Sequence, residues 1–208
     1  MKLNEKLNLE KSKFKYKKSF DNVPGGVLGV RRPYNFINDE YPIFLNSAKG
    51  AYIEDIDGNK YLDMLAAYGP IIIGYREDQI DDPVINQIKN KGFCMTLTQD
   101  TQNILIDKLK EIIPSCEKAI IVKTGSDAST LAIRIARGFT NKDKILRCGY
   151  HGWHDWCVED KGGIPKESYQ NVLNFEFNNL NQVEDLIKKN KNEVAAIITQ
   201  PISTPLVK

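Results

Sequence analysis

Residues 118–139 read KAIIVKTGSDASTLAIRIARGF: an apolar run, a small-residue turn and a helical stretch, the order that suits a grip on phosphate. Ile120, Ile121 and Val122 are expected to form a short strand ending at Thr124. Gly125 permits a tight turn with no Cβ in the way, and Ser126 and Asp127 are suited to cap the helix that follows. A helix start offers unpaired N–H groups and the positive end of the macrodipole, so a dianionic phosphate is favoured there. Neither GxxxxGK(S/T) nor GxGxxG occurs, which removes the two common nucleotide loops. Within the helix, Ala128, Leu131, Ala132, Ile135, Ala136 and Phe139 recur at helical spacing and are expected to face a core. Arg134 and Arg137 are expected on its solvent side.

Cys148, His151, His154 and Cys157 form a second constellation, spaced three residues apart and holding both histidines of the chain. Cys and His are zinc ligands, so zinc is the alternative occupant. Structural zinc sites normally pair two ligand doublets across a longer loop, and four ligands this close would strain the backbone. No metal is therefore assigned. The four cysteines, Cys94 and Cys116 included, contain no CxxC and no disulfide-like framework, the pattern of a reducing compartment. A cytoplasmic protein is expected.

The elements that must position these groups alternate. PGGVLGVRRPY (24–34) is a Gly-rich turn that cannot be helix, and GAYIEDIDGNKYLDML (50–65) reads as a hairpin about Asp57-Gly58. Tyr68-Gly69-Pro70 breaks the pattern before the apolar run Ile71–Ile73. Residues 82–91 and 99–113 read as helices; Ile104, Leu105, Leu109, Ile112 and Ile113 mark the second one's buried face, and Pro114 stops it. After the 118–139 unit come a strand at 144–147, an aromatic and Gly-rich loop at 149–157, a helix at 181–190 and a strand at 194–199. Strands separated by helices imply an α/β fold with a mostly parallel sheet.

Length and composition fit one or two domains: 208 residues, 41% of them hydrophobic. A net charge of +2 gives no reason to expect nucleic acid. Lys2, Lys6, Lys11, Lys13, Lys15, Lys17 and Lys18 crowd the first residues and read as a solvated helix that docks loosely. This start lacks the apolar core of a signal peptide, and no run is long and apolar enough to span a bilayer.

GAYIEDIDGNKYLDM, TGSDAS, YHGWHD and an apolar strand ending TQP, in that order, resemble the class III pyridoxal-phosphate aminotransferases. PGGV and AAYGP resemble segments of the glutamate-1-semialdehyde aminomutase-like branch, and the match runs from about Pro24 to Pro201. The resemblance implies the aspartate-aminotransferase-like, fold type I transferase fold. Residues 1–70 would then be an N-terminal segment with part of the small domain, and 71–208 the first portion of the large cofactor-binding domain. It implies pyridoxal 5′-phosphate as cofactor, an amino donor with an aldehyde or keto acceptor as substrates, and a homodimer.

Residue by residue, Thr124, Gly125 and Ser126 match the family's phosphate-binding turn. Charge-assisted hydrogen bonds contribute about 1.5–3 kcal/mol each, so two or three donors are needed to offset desolvating the phosphate. The backbone amides and the Ser126 and Thr124 hydroxyls are expected to supply them. Tyr150 matches the aromatic that stacks on the pyridine ring; His151 and Gly152 complete that motif. Arg32 falls where the aminomutase branch keeps a carboxylate-binding arginine, a task its planar fork suits. Tyr68 falls where the family places an active-site aromatic.

The chain also departs from the pattern. Gln200-Pro201 stands for the family's Glu-Pro, YREDQIDDP lacks its His-rich segment, and Ser126-Asp127 replaces the aminomutase Thr-Glu. These departures count against glutamate-1-semialdehyde and favour another aldehyde or keto substrate. In the family the Schiff-base lysine and the acidic partner of the ring nitrogen lie beyond the Gln-Pro strand, and this chain stops at Lys208. It is therefore expected to be an N-terminal fragment that does not transaminate by itself. The alternative is a non-catalytic remnant that serves as a phosphate-binding or dimer-partner module.

Overall fold

Asp57-Gly58 turns the chain back on itself as its sequence requires, with β2 (Tyr52–Asp55) and β3 (Lys60–Leu62) antiparallel on either side. The computed structural model describes residues 7–28, 41 and 44–202. The chain divides into two units, Met1–Gln99 and Asp100–Lys208. Among the described residues, no helix is long and apolar enough to cross a membrane.

In the first unit, β1 (Leu45–Lys49) adds to the hairpin in the order β1-β2-β3. The unit also holds α1 (Glu10–Ser19) and α2 (Asp78–Asn90). The turn is built on Asp55, only 1% exposed. Its Oδ1 accepts the N–H groups of Asp57 and Asn59 at 2.9 and 2.8 Å, and its Oδ2 accepts Asn59 Nδ2 and the Tyr61 hydroxyl, both at 2.7 Å. Desolvation pushes the Asp55 carboxyl up, but these hydrogen bonds outweigh it and hold the group below its ordinary range.

Asp57 then reaches the start of α1, where its two oxygens accept the N–H groups of Lys11 and Ser12 at 2.8 and 2.9 Å. Asn59 Nδ2 adds a bond to the Asn8 carbonyl at 2.7 Å. The Lys-rich helix does not dock loosely. A carboxylate from a distant turn caps it and satisfies N–H groups that the helix itself leaves orphaned. Leu9 and Ser12 are correspondingly buried.

In the second unit, α3 (Thr101–Ile112) and α4 (Gly125–Thr140) precede β4 (Lys144–Cys148), β5 (Val172–Asn174), α5 (Leu180–Lys189) and β6 (Val194–Thr199). The sheet runs β5-β4-β6 with both pairings parallel, so β4 is central. Ile133 of α4, Ile145 of β4, Trp156 and Cys157 form the core, with Val172, Ala195, Ala196 and Ile198 packed against them.

Three expectations fail here. Ile120–Val122 has no ladder partner among the described residues, and its side chains are 68, 55 and 36% exposed; a β-branched run becomes a strand only beside another strand. The buried residues of α4 are Ser126 and Ile133, whereas Ile135 and Phe139 are exposed. The Ser126–Ile133 side faces the sheet, where α4 packs against β6, and the apolar stripe points elsewhere. On α3, Ile104, Leu105 and Ile112 are likewise exposed, as is Ile113 after it.

The Asp57 cap generates a pH-dependent prediction. Desolvation raises its carboxyl pKa, but the bonds from Lys11 and Ser12 outweigh it, so the folded value lies below the ordinary one. Its contribution is therefore present above the ordinary carboxylate range and lost as pH falls through the folded pKa. Asp57→Ala is expected to cost about 1 kcal/mol at neutral pH, seen as roughly fivefold faster amide exchange at Lys11 and Ser12. That difference from wild type should vanish in acid; a difference that persists at pH 2 contradicts the cap.

Candidate functional site

The cap of α4 is Thr124, two residues before Ser126 and three before Asp127, the positions expected from sequence. Thr124 Oγ1 accepts the Asp127 N–H at 3.1 Å, and Asp127 Oδ2 accepts the Thr124 N–H at 3.0 Å, a reciprocal capping box. The Thr124 hydroxyl donates to the same Asp127 oxygen at 2.8 Å. Its hydrogen is thus spent inside the cap, and the expected donation from Thr124 to a phosphate is not available in this geometry. The Gly125 and Ser126 N–H groups donate to nothing among the described residues, because a helix offers no partner to its first amides. They are the turn's free donors.

Ser126 is buried, and its Oγ accepts the Trp153 N–H at 3.3 Å. That bond leaves the hydroxyl hydrogen for another acceptor. The loop after β4 comes close because of glycine: a Cβ on Gly152 would lie 2.5 Å from Ser126 Oγ and 2.9 Å from Ser126 Cα. Gly149 does the same against Gln200, where a Cβ would meet Oε1 at 2.9 Å. Gln200 Nε2 in turn donates to the Tyr150 carbonyl at 3.2 Å. The Thr124–Ser126 turn, the YHGWHD loop and Gln200 at the end of β6 therefore meet in one place.

Tyr150 is 64% exposed while Gln200 holds its backbone, the disposition of a side chain left free to cover something flat. His151 is used inside the loop, its Nε2 donating to the Cys148 carbonyl at 2.8 Å. Among the described residues no three His, Cys, Asp or Glu side chains are arranged to hold a metal. His154 Nδ1 lies against Thr130, and Cys157 Sγ lies at 3.4 Å from the His154 carbonyl. Burial pushes the Cys157 thiol up, with nearby Arg147 opposing it in part, so it is no ready thiolate.

Arg147 is the loop-fixing residue that the sequence did not reveal. It sits on β4 and is 8% exposed, with no ion pair among the described residues. Its Nε donates to the Gly149 carbonyl at 3.1 Å, and its Nη1 donates to the Cys157 carbonyl. One guanidinium thus pins both ends of the loop that carries Tyr150 and Gly152. An arginine between Leu146 and Cys148 of a short strand was the available signal, since buried arginines are rare unless used.

Tyr68 belongs to the first unit and has a left-handed backbone (φ 65°), as do Ala66 and Ala67 before it. Three consecutive non-glycine residues there are costly, and the turn is held by Asp63. Its Oδ1 accepts the Leu65 and Ala66 N–H groups, and its Oδ2 accepts the Tyr75 hydroxyl at 2.6 Å. Arg32 lies outside the described residues.

The arrangement fits a phosphorylated aromatic ligand: two free amides and a hydroxyl at a helix start, with an uncovered tyrosine two residues before the glycine that meets that hydroxyl. Gly152→Ala tests the close approach. The substitution places a methyl group inside Ser126 and a side chain at φ +115°. It is expected to cost about 2 kcal/mol in urea unfolding of the second unit, and an unchanged midpoint contradicts the packing described.

The sequence pattern that defines the family Aminotransferase class-III matches residues 34–205. The chain is 59% identical over 201 residues to the 3-aminobutyryl-CoA aminotransferase of Cloacimonas acidaminovorans (strain Evry), covering 97% of this chain and 49% of that protein. It is 36% identical to the glutamate-1-semialdehyde 2,1-aminomutase of Methanobrevibacter smithii, covering 92% and 47%. Among solved structures, the FumI protein of Sphingopyxis sp. MTA144, in a PLP form, superposes with a TM-score of 0.89 at 28% identity over 93% of this chain and 47% of that one. A Pseudomonas aeruginosa glutamate-1-semialdehyde aminomutase superposes at 0.80 with 20% identity, a likeness of fold. The chain spans about half the length of the curated relatives it matches. The fold is that of the pyridoxal-phosphate transaminases, and the chain belongs to the class-III aminotransferases.

Proposed function

We propose that this chain supplies the phosphate and ring contacts for pyridoxal 5′-phosphate in an enzyme that moves an amino group to an aldehyde or keto acceptor. The observation that carries the reading is the pair of free N–H groups at Gly125 and Ser126, with the Ser126 hydroxyl oriented by Trp153. Those three donors take the phosphate oxygens, and the macrodipole of α4 favours their charge. Tyr150 covers one face of the ring, held at its backbone by Gln200 and by the Arg147-pinned loop. When bound, the cofactor supplies the carbonyl that exchanges an amino group and the ring that acts as electron sink.

Gln200 replaces the acidic residue of the family strand, so it contributes a polar amide without charge. Arg32 is assigned the substrate carboxylate or another anionic group, and Tyr68 a place on the substrate side. The Schiff-base lysine of the family is assigned to the part of its length that this chain does not span. The whole enzyme is read as a cytoplasmic homodimer. The 59% identity to an aminotransferase against 36% to an aminomutase favours transfer between two molecules, with a 3-amino acyl thioester as donor. A phosphate-binding module without chemistry is the competing reading; it needs only the turn and loop contacts described above.

Calorimetry with pyridoxamine 5′-phosphate and with pyridoxamine tests the phosphate grip, since neither amine condenses with surface lysines. The phosphorylated form is expected to bind the 208-residue chain about a hundredfold more tightly, and Ser126→Ala to remove about tenfold of that. Equal Kd values for the two would overturn the reading. Fused to the second half of the Cloacimonas relative, the chain is expected to turn over 3-aminobutyryl-CoA faster than glutamate-1-semialdehyde. The reverse ranking contradicts the transferase assignment, and no turnover of either favours the module without chemistry.

A further inference from the structure

The cap of α4 is tied to the hydrophobic core by a line of side chains that the phosphate grip does not itself use. Trp156 is 7% exposed in that core, and its Nε1 donates to Thr130 Oγ1 at 2.8 Å. The same Thr130 oxygen lies 2.7 Å from His154 Nδ1. Across the ring, His154 Nε2 faces Asp127 Oδ1 at 3.7 Å, an electrostatic contact longer than a hydrogen bond. The other Asp127 oxygen holds both the N–H and the hydroxyl of Thr124.

The donor inventory orders this line. An indole N–H only donates, so the Thr130 oxygen accepts from Trp156 and its own hydrogen is free to run to His154 Nδ1. A carboxylate oxygen accepts, so the ring nitrogen that faces Asp127, Nε2, is the one suited to carry a hydrogen. Both neighbours select the same tautomer. The ring is held from the side as well, since Trp153 meets it edge-on with centroids 5.5 Å apart. Trp153 is also the residue whose N–H orients Ser126.

Resting on the phosphate reading above, we propose that His154 is a positioning residue for the phosphate turn. It fixes the Asp127 carboxylate from behind and so sets where the Gly125 and Ser126 amides point. Asp127 stands half-exposed, with 39% of its side chain accessible, where water competes for its oxygens. Its rotamer rests on the two bonds that Oδ2 accepts from Thr124, and a contact on Oδ1 adds to that hold. The imidazole supplies that contact, anchored through Thr130 to a buried tryptophan. The loop bearing Tyr150 and the turn bearing Ser126 are then coupled twice: by the Gly152 approach on one side and by His154 on the other.

Amide hydrogen exchange of the ligand-free 208-residue chain, followed by pyridoxamine 5′-phosphate titration, tests the proposal. His154→Ala is expected to speed exchange at Thr124 and Asp127 by about five- to tenfold and to weaken pyridoxamine 5′-phosphate by a similar factor. Exchange at Ile145 and Ile197 in the sheet, and binding of pyridoxamine, should stay as in wild type. His154→Gln, which can place an amide nitrogen where Nε2 stood, should restore most of both. Thr130→Val leaves the ring in place and should give a smaller rise at the same two amides. Wild-type exchange at Thr124 and Asp127 in His154→Ala, or a rise shared equally by the sheet amides, overturns the positioning role. Faster exchange at the cap in a protein whose wild type does not prefer the phosphorylated amine keeps the role and removes the phosphate reading instead.

Discussion

Gly152 stands so near Ser126 that no methyl group fits between them, and the geometry of the site depends on that approach. Because the loop can lie on the first turn of α4, the Trp153 N–H reaches Ser126 Oγ and leaves its hydroxyl hydrogen for another acceptor. Because the loop is short and fixed at both ends by Arg147, Tyr150 stays near the turn instead of wandering with solvent. Strand β4 stands between two parallel neighbours, so the guanidinium that pins the loop has a rigid base. Fold and site are linked through one central strand and one glycine.

The two units use a carboxylate at a helix start in different ways. Asp127 caps its own helix and consumes the Thr124 donors, which leaves the next two amides open. Asp57 caps a helix about 45 residues away in the chain and ties the hairpin to α1. The physics is the same, orphan N–H groups meeting negative charge. In the first case the remaining amides can take a ligand. In the second the carboxylate already serves as the anion, so the helix start is a structural joint.

Much of this was legible in the sequence. Asp57-Gly58 gave the hairpin, and the order of strands and helices gave the parallel sheet about 144–148 and 194–199. β1 was missed because LNSAK carries no β-branched or aromatic residue, and β5 because three residues leave no period to read. Helical spacing located α4 but chose the wrong face: the pattern says that an apolar stripe exists, not which neighbour a helix has. At the site, the residue types of the Thr124–Ser126 turn were readable. Which hydroxyl was free was not, since that depends on the Asp127 rotamer and on a loop some 26 residues later. Arg147 escaped notice because its partners are two backbone carbonyls, which leave no trace in residue types.

The central claim is that the first two amides of α4 receive the phosphate. Nitrogen-15 chemical-shift mapping during titration with pyridoxamine 5′-phosphate tests it most directly. The account predicts that the Gly125 and Ser126 amide signals move furthest and saturate together, with Tyr150 and Gly152 following and Lys11 and Ser12 of the first unit still. Largest shifts at any other helix start, or at surface lysines with Gly125 and Ser126 unmoved, would contradict it.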